Sequence, residues 1–397
     1  PILLYNRYID ELVLADELGF DGVCVNEHHQ NAYGMMPTPG VIAGALARQT
    51  KRAKIAVLGR ALPLLEYPLS VAEEFAMLDN ISGGRLIAGF VRGLGAEYHS
   101  TGINPAESHG RFHEAHDLIV RAWTEIGPFP FHGKYFDLQY VNTWPRPFQQ
   151  PHPPIWIPSS GSRETITWAA HPSRKYTYLQ VFSPVDALAR FASMYKEEAT
   201  KFGYAASPDQ IGWAVPIYVG ETDEQARTQA KPHIENFFNK FVRIPPQMLL
   251  PPGYTTVDSM LRFMKVQTPM MSSEPVTIDT LMKVGMFLCG SPDTVAAQLR
   301  DYEQRIGFAE LLAKETFGPV GAPQYREYAH DIAASGENLL AIINDILDFS
   351  KIEAGKLDIE SIDFTLDQVL QNVANLIAEK ARSEEHTSEL QSHHDLV

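Results

Sequence analysis

The sequence predicts an α/β fold, a parallel sheet of (β/α)-barrel type, on three observations. Short apolar runs alternate with helical patterns as far as residue 306, which is the signature of repeated βα units. Those runs are apolar throughout rather than alternating, as expected of parallel strands covered on both faces. The first of them ends abruptly in Asn26-Glu27-His28-His29. Titratable side chains are costly at the end of a buried strand, and the carboxyl ends of barrel strands are where such side chains do chemistry.

The elements follow in order. An amphipathic pattern runs from Tyr8 to Leu18 and stops at Gly19, the usual position of a left-handed helix cap. Strands are expected at 22–26, 54–62, 85–91, 154–158, 176–182 and 211–219, with helical patterns such as 39–48, 71–78 and 114–125 between them. A doubly wound sheet is the alternative. It lacks support because no Gly-x-Gly-x-x-Gly turn follows a strand, and Arg92-Gly93-Leu94-Gly95 has no third glycine.

Composition sets the outer limits. The 397 residues are 45% hydrophobic and 20% charged, a globular composition with room for one large domain and a smaller one. No apolar run is long enough to cross a bilayer, and no basic, then apolar, then small-residue leader pattern is seen in a sequence that starts at Pro1 rather than Met. With Cys24 and Cys289 as its only cysteines, a disulfide framework is excluded and a cytoplasmic setting is expected. A net charge of −15 argues against a nucleic-acid partner. That charge is uneven: 6 basic and 17 acidic residues lie from Ile306 onward, against 27 and 31 before it. Only 2 of the 28 prolines lie beyond that point, so a domain boundary is expected near residue 306.

Within Asn26–His29, strand alternation puts Glu27 and His29 on one face and His28 on the other. The spacing is not that of a helical zinc motif and no third ligand lies nearby, so no metal site is expected.

An ordered series of motifs then becomes specific. Glu27-His28-His29 is followed by Leu62-Pro63, by Met77-Leu78-Asp79, and by Ser82-Gly83-Gly84-Arg85-Leu86. Arg92-Gly93, Pro151-His152-Pro153-Pro154-Ile155-Trp156, Ser162 to Thr165 and Trp168-Ala169-Ala170 complete the series. Together, over residues 3–308, they resemble the bacterial luciferase-like flavin monooxygenases. The resemblance implies a (β/α)8 barrel that holds reduced FMN at its carboxyl face and reacts it with O2, acting on a small organic molecule. It implies that Arg92 clamps the FMN phosphate, and that Gly161, Ser162 and Thr165 form the phosphate loop. The same three residues would equally make an ordinary helix cap. His28 matches the histidine placed at the reactive edge of the flavin, where a neutral imidazole transfers protons. Asn26 and Glu27 would orient that histidine or line the cavity, and Tyr98 would flank the ring, although an aromatic beside a barrel mouth is as often packing. Gly59 falls where the family often has a non-prolyl cis peptide, here Leu58–Gly59. A flavin reductase is the partner such an enzyme would draw on, and homodimers are common in the family. Two departures stand out: only Pro1–Tyr5 remains to supply the family's first strand, and its last strand should follow Gly307, where the sequence changes character.

From Gly307 the chain resembles sensor histidine kinases. Gly307-Phe308-Ala309-Glu310-Leu311-Leu312 and Phe317-Gly318-Pro319 match the end of a first dimerisation helix and its turn. Leu339 to Lys356 matches the second helix, and Ile332, Leu339, Leu340, Ile343, Ile346 and Leu347 make an apolar stripe that needs a partner helix. The phosphoacceptor His-Glu-x-Arg-Thr-Pro pattern and the ATP-binding motifs are absent, which implies a non-catalytic signalling or dimerisation module over 307–381 as the alternative function. Residues 382–397 resemble an in-frame translation of a sequencing adapter, a non-native tail. Three segments are therefore expected: a barrel over 1–306 lacking its first and last strands, an α-helical hairpin fragment with the start of an ATP-binding domain over 307–381, and the tail over 382–397.

Overall fold

The structure is a computed structural model that describes residues 2–30, 34–181, 183–242, 244–256, 274–308 and 310–314. Two compact units divide the chain, residues 1–321 and 322–397, and the described residues all belong to the first. The expected hairpin fragment beyond Lys314 and the tail lie outside the described residues.

A parallel sheet forms the centre. Its strands are β1 (Gly22–Val25), β2 (Lys54–Ala61), β3 (Leu86–Val91), β6 (Ile155–Ser159), β7 (Thr177–Val181), β8 (Ile211–Val219) and β10 (Glu310–Lys314), hydrogen-bonded in that order, while β9 (Leu288–Gly290) also pairs with β8. Every pairing in this sheet is parallel. Parallel neighbours require crossovers, and helices supply them: α2 (Pro39–Gln49), α3 (Leu69–Ser82), α5 (Ser108–Thr124), α6 (Arg163–Ala169) and α7 (Val185–Lys201). The six strands expected from sequence are all present within a residue or two of their expected ends.

Three local differences have physical causes. The first helix, α1, spans Ile2–Leu18, so the residues left to supply a first strand are helical, and no strand precedes β1 among the described residues. The chain from Glu310 to Lys314 pairs with β8 along five residues, which fills the place beside β8 where the sequence predicts no strand. An antiparallel hairpin, β4 (Phe129–His132) with β5 (Asp137–Val141), interrupts the βα alternation between α5 and β6.

Strand ends are held by polar side chains where the sequence shows only motifs. Asp16 on α1 accepts the backbone N–H groups of Lys51, Arg52 and Ala53 at 2.8, 3.0 and 2.5 Å, which fixes the entry to β2. Gly83, in the left-handed conformation, ends α3, and Arg85 then turns back to donate to the carbonyls of Ala47 and Thr50 at the end of α2 and of Ala53 just before β2. The Ser-Gly-Gly-Arg motif is thus a structural staple for otherwise orphaned helix carbonyls.

Strands β2 and β3 approach unusually closely. A Cβ on Gly89 would lie 2.2 Å from the Val57 carbonyl oxygen, and one on Gly59 would lie 2.8 Å from the Gly89 carbonyl. The Leu58–Gly59 peptide between them is cis, as the resemblance implied. Gly89→Ala is expected to cost about 1–3 kcal/mol, the penalty for overpacking a site that has backbone on the other side. A urea midpoint lowered at unchanged m-value checks this, and a wild-type midpoint would mean that the strands can separate at no cost.

Candidate active site

Because the sheet is parallel, the residues that follow its strands gather at one edge. The register Val25↔Val57 brings Asn26 and Glu27 level with Leu58 and Gly59, and Gly89↔Trp156 brings Arg92 level with the end of β6. Asn26, Glu27, His28, Gly59, Arg92, Gly161, Ser162 and Thr165 therefore share the carboxyl edge of the sheet.

The two histidines are held by different carboxylates. His29 Nε2 lies 2.9 Å from Glu27 Oε1, and Glu27 Oε2 lies 2.9 Å from Arg60 Nη1. Arg60 reaches Glu74 Oε2 at 3.7 Å on its other side. His28 turns the other way, as strand alternation requires, and its Nδ1 lies 3.3 Å from Glu97 Oε1. The resemblance gives Glu27 to orienting His28 or lining the cavity. Its hydrogen-bonded histidine is His29, because residues two apart on an extended strand share a face.

These contacts set the protonation preferences. The Glu27 hydrogen bond raises the His29 ring above the ordinary histidine value, while partial burial works against it. Burial raises the Glu74 carboxyl, with Arg60 opposing and Glu27 adding to the effect.

Arg92 leaves the end of β3 and is half-buried. Its Nη1 donates to the Tyr254 carbonyl at 2.8 Å and to Ser108 Oγ at 3.3 Å, and the guanidinium lies 4.4 Å from the centre of the Tyr254 ring. Among the described residues no carboxylate pairs with it. Tyr98, expected beside a flavin ring, is buried instead: it donates to the Arg92 carbonyl and packs edge-on against Tyr254. It supports the Arg92 turn from below.

The turn after β6 begins with Gly161 at φ +107°. Ser162 Oγ accepts the Thr165 N–H at 3.4 Å, capping α6, and its hydroxyl donates to Glu164 at 2.7 Å. The helix-cap role allowed for these residues is thus present in the structure. Helices α5 and α6 pack along each other through His113, whose ring stacks on Trp168 at 5.2 Å. One turn back on each helix stand His109 and Glu164, and Ser108, the first residue of α5, touches Arg92. His109 is pushed down to about 4, by burial first and then by Arg92 and His113, with Glu164 opposing. Burial likewise lowers His113 and His116. Neither Glu97 nor His109 stands out in the sequence. Glu97 meets His28 from 69 residues away, and the short helix that carries it is not marked in the sequence.

The parallel (β/α) sheet thus carries, at its carboxyl edge, two carboxylate-bound histidines and, among the described residues, a guanidinium with no carboxylate partner. Residues 5–309 match the family described as luciferase-like monooxygenase, and the chain belongs to that family. Residues 306–355 match the His Kinase A (phospho-acceptor) domain. The uncharacterized protein y4wF of Sinorhizobium fredii is 28% identical over 334 residues, 80% of this chain and 88% of that protein. The cell-division control histidine kinase PdhS of Brucella ovis is 46% identical over 79 residues, 20% of this chain but 8% of the kinase. The structure of monooxygenase RslO1 from Streptomyces bottropensis is similar at a TM-score of 0.63 and 25% identity, covering 85% of this chain and 94% of that one. The oxygenating constituent of 3,6-diketocamphane monooxygenase from Pseudomonas putida, in complex with FMN, gives 0.65 at 23% identity, covering 78% and 86%. An F420-dependent secondary alcohol dehydrogenase shares the fold at 0.60 and 17% identity, covering 79% and 89%. No helix among the described residues is long and apolar enough to cross a membrane, and no group of three or more metal-ligating side chains occurs among them.

The depressed histidines make stability depend on pH. His109 takes up a proton in the unfolded chain near 6.5 but in the fold only at about 4, so its contribution is complete above 6.5 and is lost as pH falls through that window. Acidification across it is expected to cost about 2 kcal/mol from this group. Each tenfold change in proton affinity is worth about 1.4 kcal/mol, and solvent screening of the partly exposed ring trims the total. His29 acts in the opposite sense, since its raised value favours the fold at lower pH. Thermal melts of wild type and His109→Gln across that range check the sign: the variant should lose part of the slope, and parallel curves would remove His109 from the account.

Proposed function

We propose that this chain is an FMN-dependent monooxygenase that uses reduced flavin and O2 on a small organic substrate, with its site at the carboxyl edge of the sheet. The observation that carries the reading is the Arg92 guanidinium, half-buried, with no carboxylate partner among the described residues, on the same sheet edge as the Gly161–Thr165 turn. A half-buried cation without a counter-ion favours an anion as its occupant, and a planar fork suits a phosphate.

The residues fit the cofactor. Arg92 would hold the phosphate, with Gly161, Ser162 and Thr165 lining it; the Ser162 hydroxyl, engaged by Glu164, would rotate to donate. When bound, reduced FMN supplies the electrons and the ring position at which O2 is activated. His28 would hold or accept a proton there, while Asn26, Glu27 and Gly59 border the same edge. Tyr98 acts through Arg92. The reduced flavin would come from a separate reductase, and a homodimer is the expected assembly. The FMN complex of the diketocamphane enzyme supports this choice of cofactor, and the RslO1 likeness supports oxygenation.

A second reading, a non-catalytic signalling or dimerisation module, is supported by the His Kinase A match over residues 306–355. That match covers less than a tenth of the kinases concerned, so kinase activity is not part of the proposal.

Quenching of flavin fluorescence by the full chain tests the first reading. Arg92→Ala is expected to weaken FMN binding by about 1–3 kcal/mol, the worth of a charge-assisted contact. His28→Ala should leave binding intact and slow substrate oxygenation. Unchanged FMN affinity in the Arg92 variant would take Arg92 out of the site, and failure of the wild type to bind would end the proposal.

Glu164 offers a check of the opposite sign. Its carboxylate stands beside the turn that would face the phosphate, so Glu164→Gln should tighten FMN binding by about 0.5–1 kcal/mol at low salt, and less at high salt. Weaker binding in that variant would mean that Glu164 orders the turn rather than repelling the anion.

A further inference from the structure

This inference rests on the proposed function and deepens it. Proton transfer by a neutral histidine requires one defined tautomer, and a lone imidazole does not choose one. Glu97 makes the choice for His28. Its Oε1 stands 3.3 Å from His28 Nδ1 and also accepts the His29 N–H at 3.0 Å, while Oε2 accepts the Leu94 N–H at 2.6 Å. The carboxylate is 2% exposed. Burial on its own would raise the Glu97 carboxyl, but the hydrogen bonds from His28, Leu94 and His29 outweigh it and hold the group below the ordinary range. Glu97 is therefore an ionised group that can only accept, and the nitrogen facing it carries the hydrogen.

The ring is confined on another side too. A Cβ built on Gly34 would lie 2.7 Å from His28 Cδ2, so the main chain at Gly34 already lies against that edge. Neighbouring His29 shows the reverse arrangement, with Nε2 turned to Glu27. Two consecutive histidines are thus held through opposite nitrogens by two different buried carboxylates.

We propose that Glu97 is a positioning residue that locks His28 as the Nδ1–H tautomer, leaving Nε2 as the basic nitrogen of the site. Glu97 comes from α4 (Gly95–Thr101), which follows directly on the Arg92-Gly93 turn. Orientation of the proton-transferring ring and placement of the phosphate-binding cation are thereby joined through one short helix.

The test uses the flavin-free full chain labelled with 15N-histidine, with His28 assigned from a His28→Gln spectrum. In wild type at alkaline pH, His28 should show a protonated Nδ1 and an unprotonated Nε2. Glu97→Ala should lose that preference. Glu97→Gln should retain much of it, because an amide oxygen still accepts from Nδ1. With substrate and reduced flavin, Glu97→Ala should lower kcat about tenfold or more, the scale of misplaced acid–base catalysis. A wild-type His28 carrying its hydrogen on Nε2, or an unchanged tautomer in Glu97→Ala, overturns the proposal. The wild-type spectrum decides even if Glu97→Ala does not fold. Absence of FMN binding by wild type would overturn the functional reading and leave the tautomer assignment standing.

Discussion

The Glu97 carboxylate is the contact on which the arrangement of the site depends. Removing a carboxylate from water costs several kcal/mol unless hydrogen bonds replace the lost hydration. Glu97 recovers them from three donors on two turns, the exit of β1 and the exit of β3. If one turn moved, the charge would be left short of donors, so each turn holds the other in place. Arg92 begins the second of these turns, and Tyr98, next to Glu97, grips the Arg92 carbonyl from below. Local geometry at the edge of the sheet follows from satisfying one buried charge.

A second network anchors the neighbouring strand. Glu27 lies between the Arg60 guanidinium and the His29 ring, and Arg60 also attracts Glu74. One guanidinium serves two carboxylates, and burial outweighs its share of attraction at Glu74, which is held toward its neutral form. Among the described residues, Arg60 Nε and Glu74 Oε1 find no hydrogen-bond partner although both are buried. Networks with open positions of this kind hold water or a ligand atom more readily than they tolerate a void. Their location is informative, since Arg60 follows the close approach of β2 to β3 at Gly59 and Gly89. Small residues bring the backbones together there, and the charged pair ties the strand end to β1.

Much of this is legible in the sequence, for definable reasons. Apolar runs and helical periods locate the strands, and parallel pairing then places Asn26–His29, Arg92 and Gly161–Thr165 on one edge without further information. Period-two alternation separates His28 from Glu27 and His29. Sequence does not show what lies across the edge: Glu97 stands 69 residues from His28, and no local pattern marks a carboxylate that closes on a remote ring. Tyr98 departs from its expected place for a related reason. An aromatic after a barrel strand can face the mouth or the core, and the short α4 helix, absent from the sequence pattern, turns it inward. Glu164 escapes notice because a carboxylate in the first turn of a helix reads as a favourable dipole contact. Beside an expected phosphate the same charge is a cost.

The join near residue 307 shows where pattern alone stops. Glu310 to Leu312 fit the end of a kinase dimerisation helix by likeness, yet in the structure their backbone belongs to the strand beside β8. A short apolar run is compatible with either element, and periodicity cannot separate them at that length. Context decides. Strand β8 is paired with β7 on one side, and an uncovered row of backbone donors and acceptors along its other side would be costly within a covered parallel sheet. Any five-residue segment with tolerable strand propensity that follows the helix Pro292–Ile306 at this distance can satisfy that row. The overlap of the two family matches at residues 306–309 is therefore physically permissible: the sheet asks for a strand after Gly307, and its backbone pairing is indifferent to which family supplied the residues.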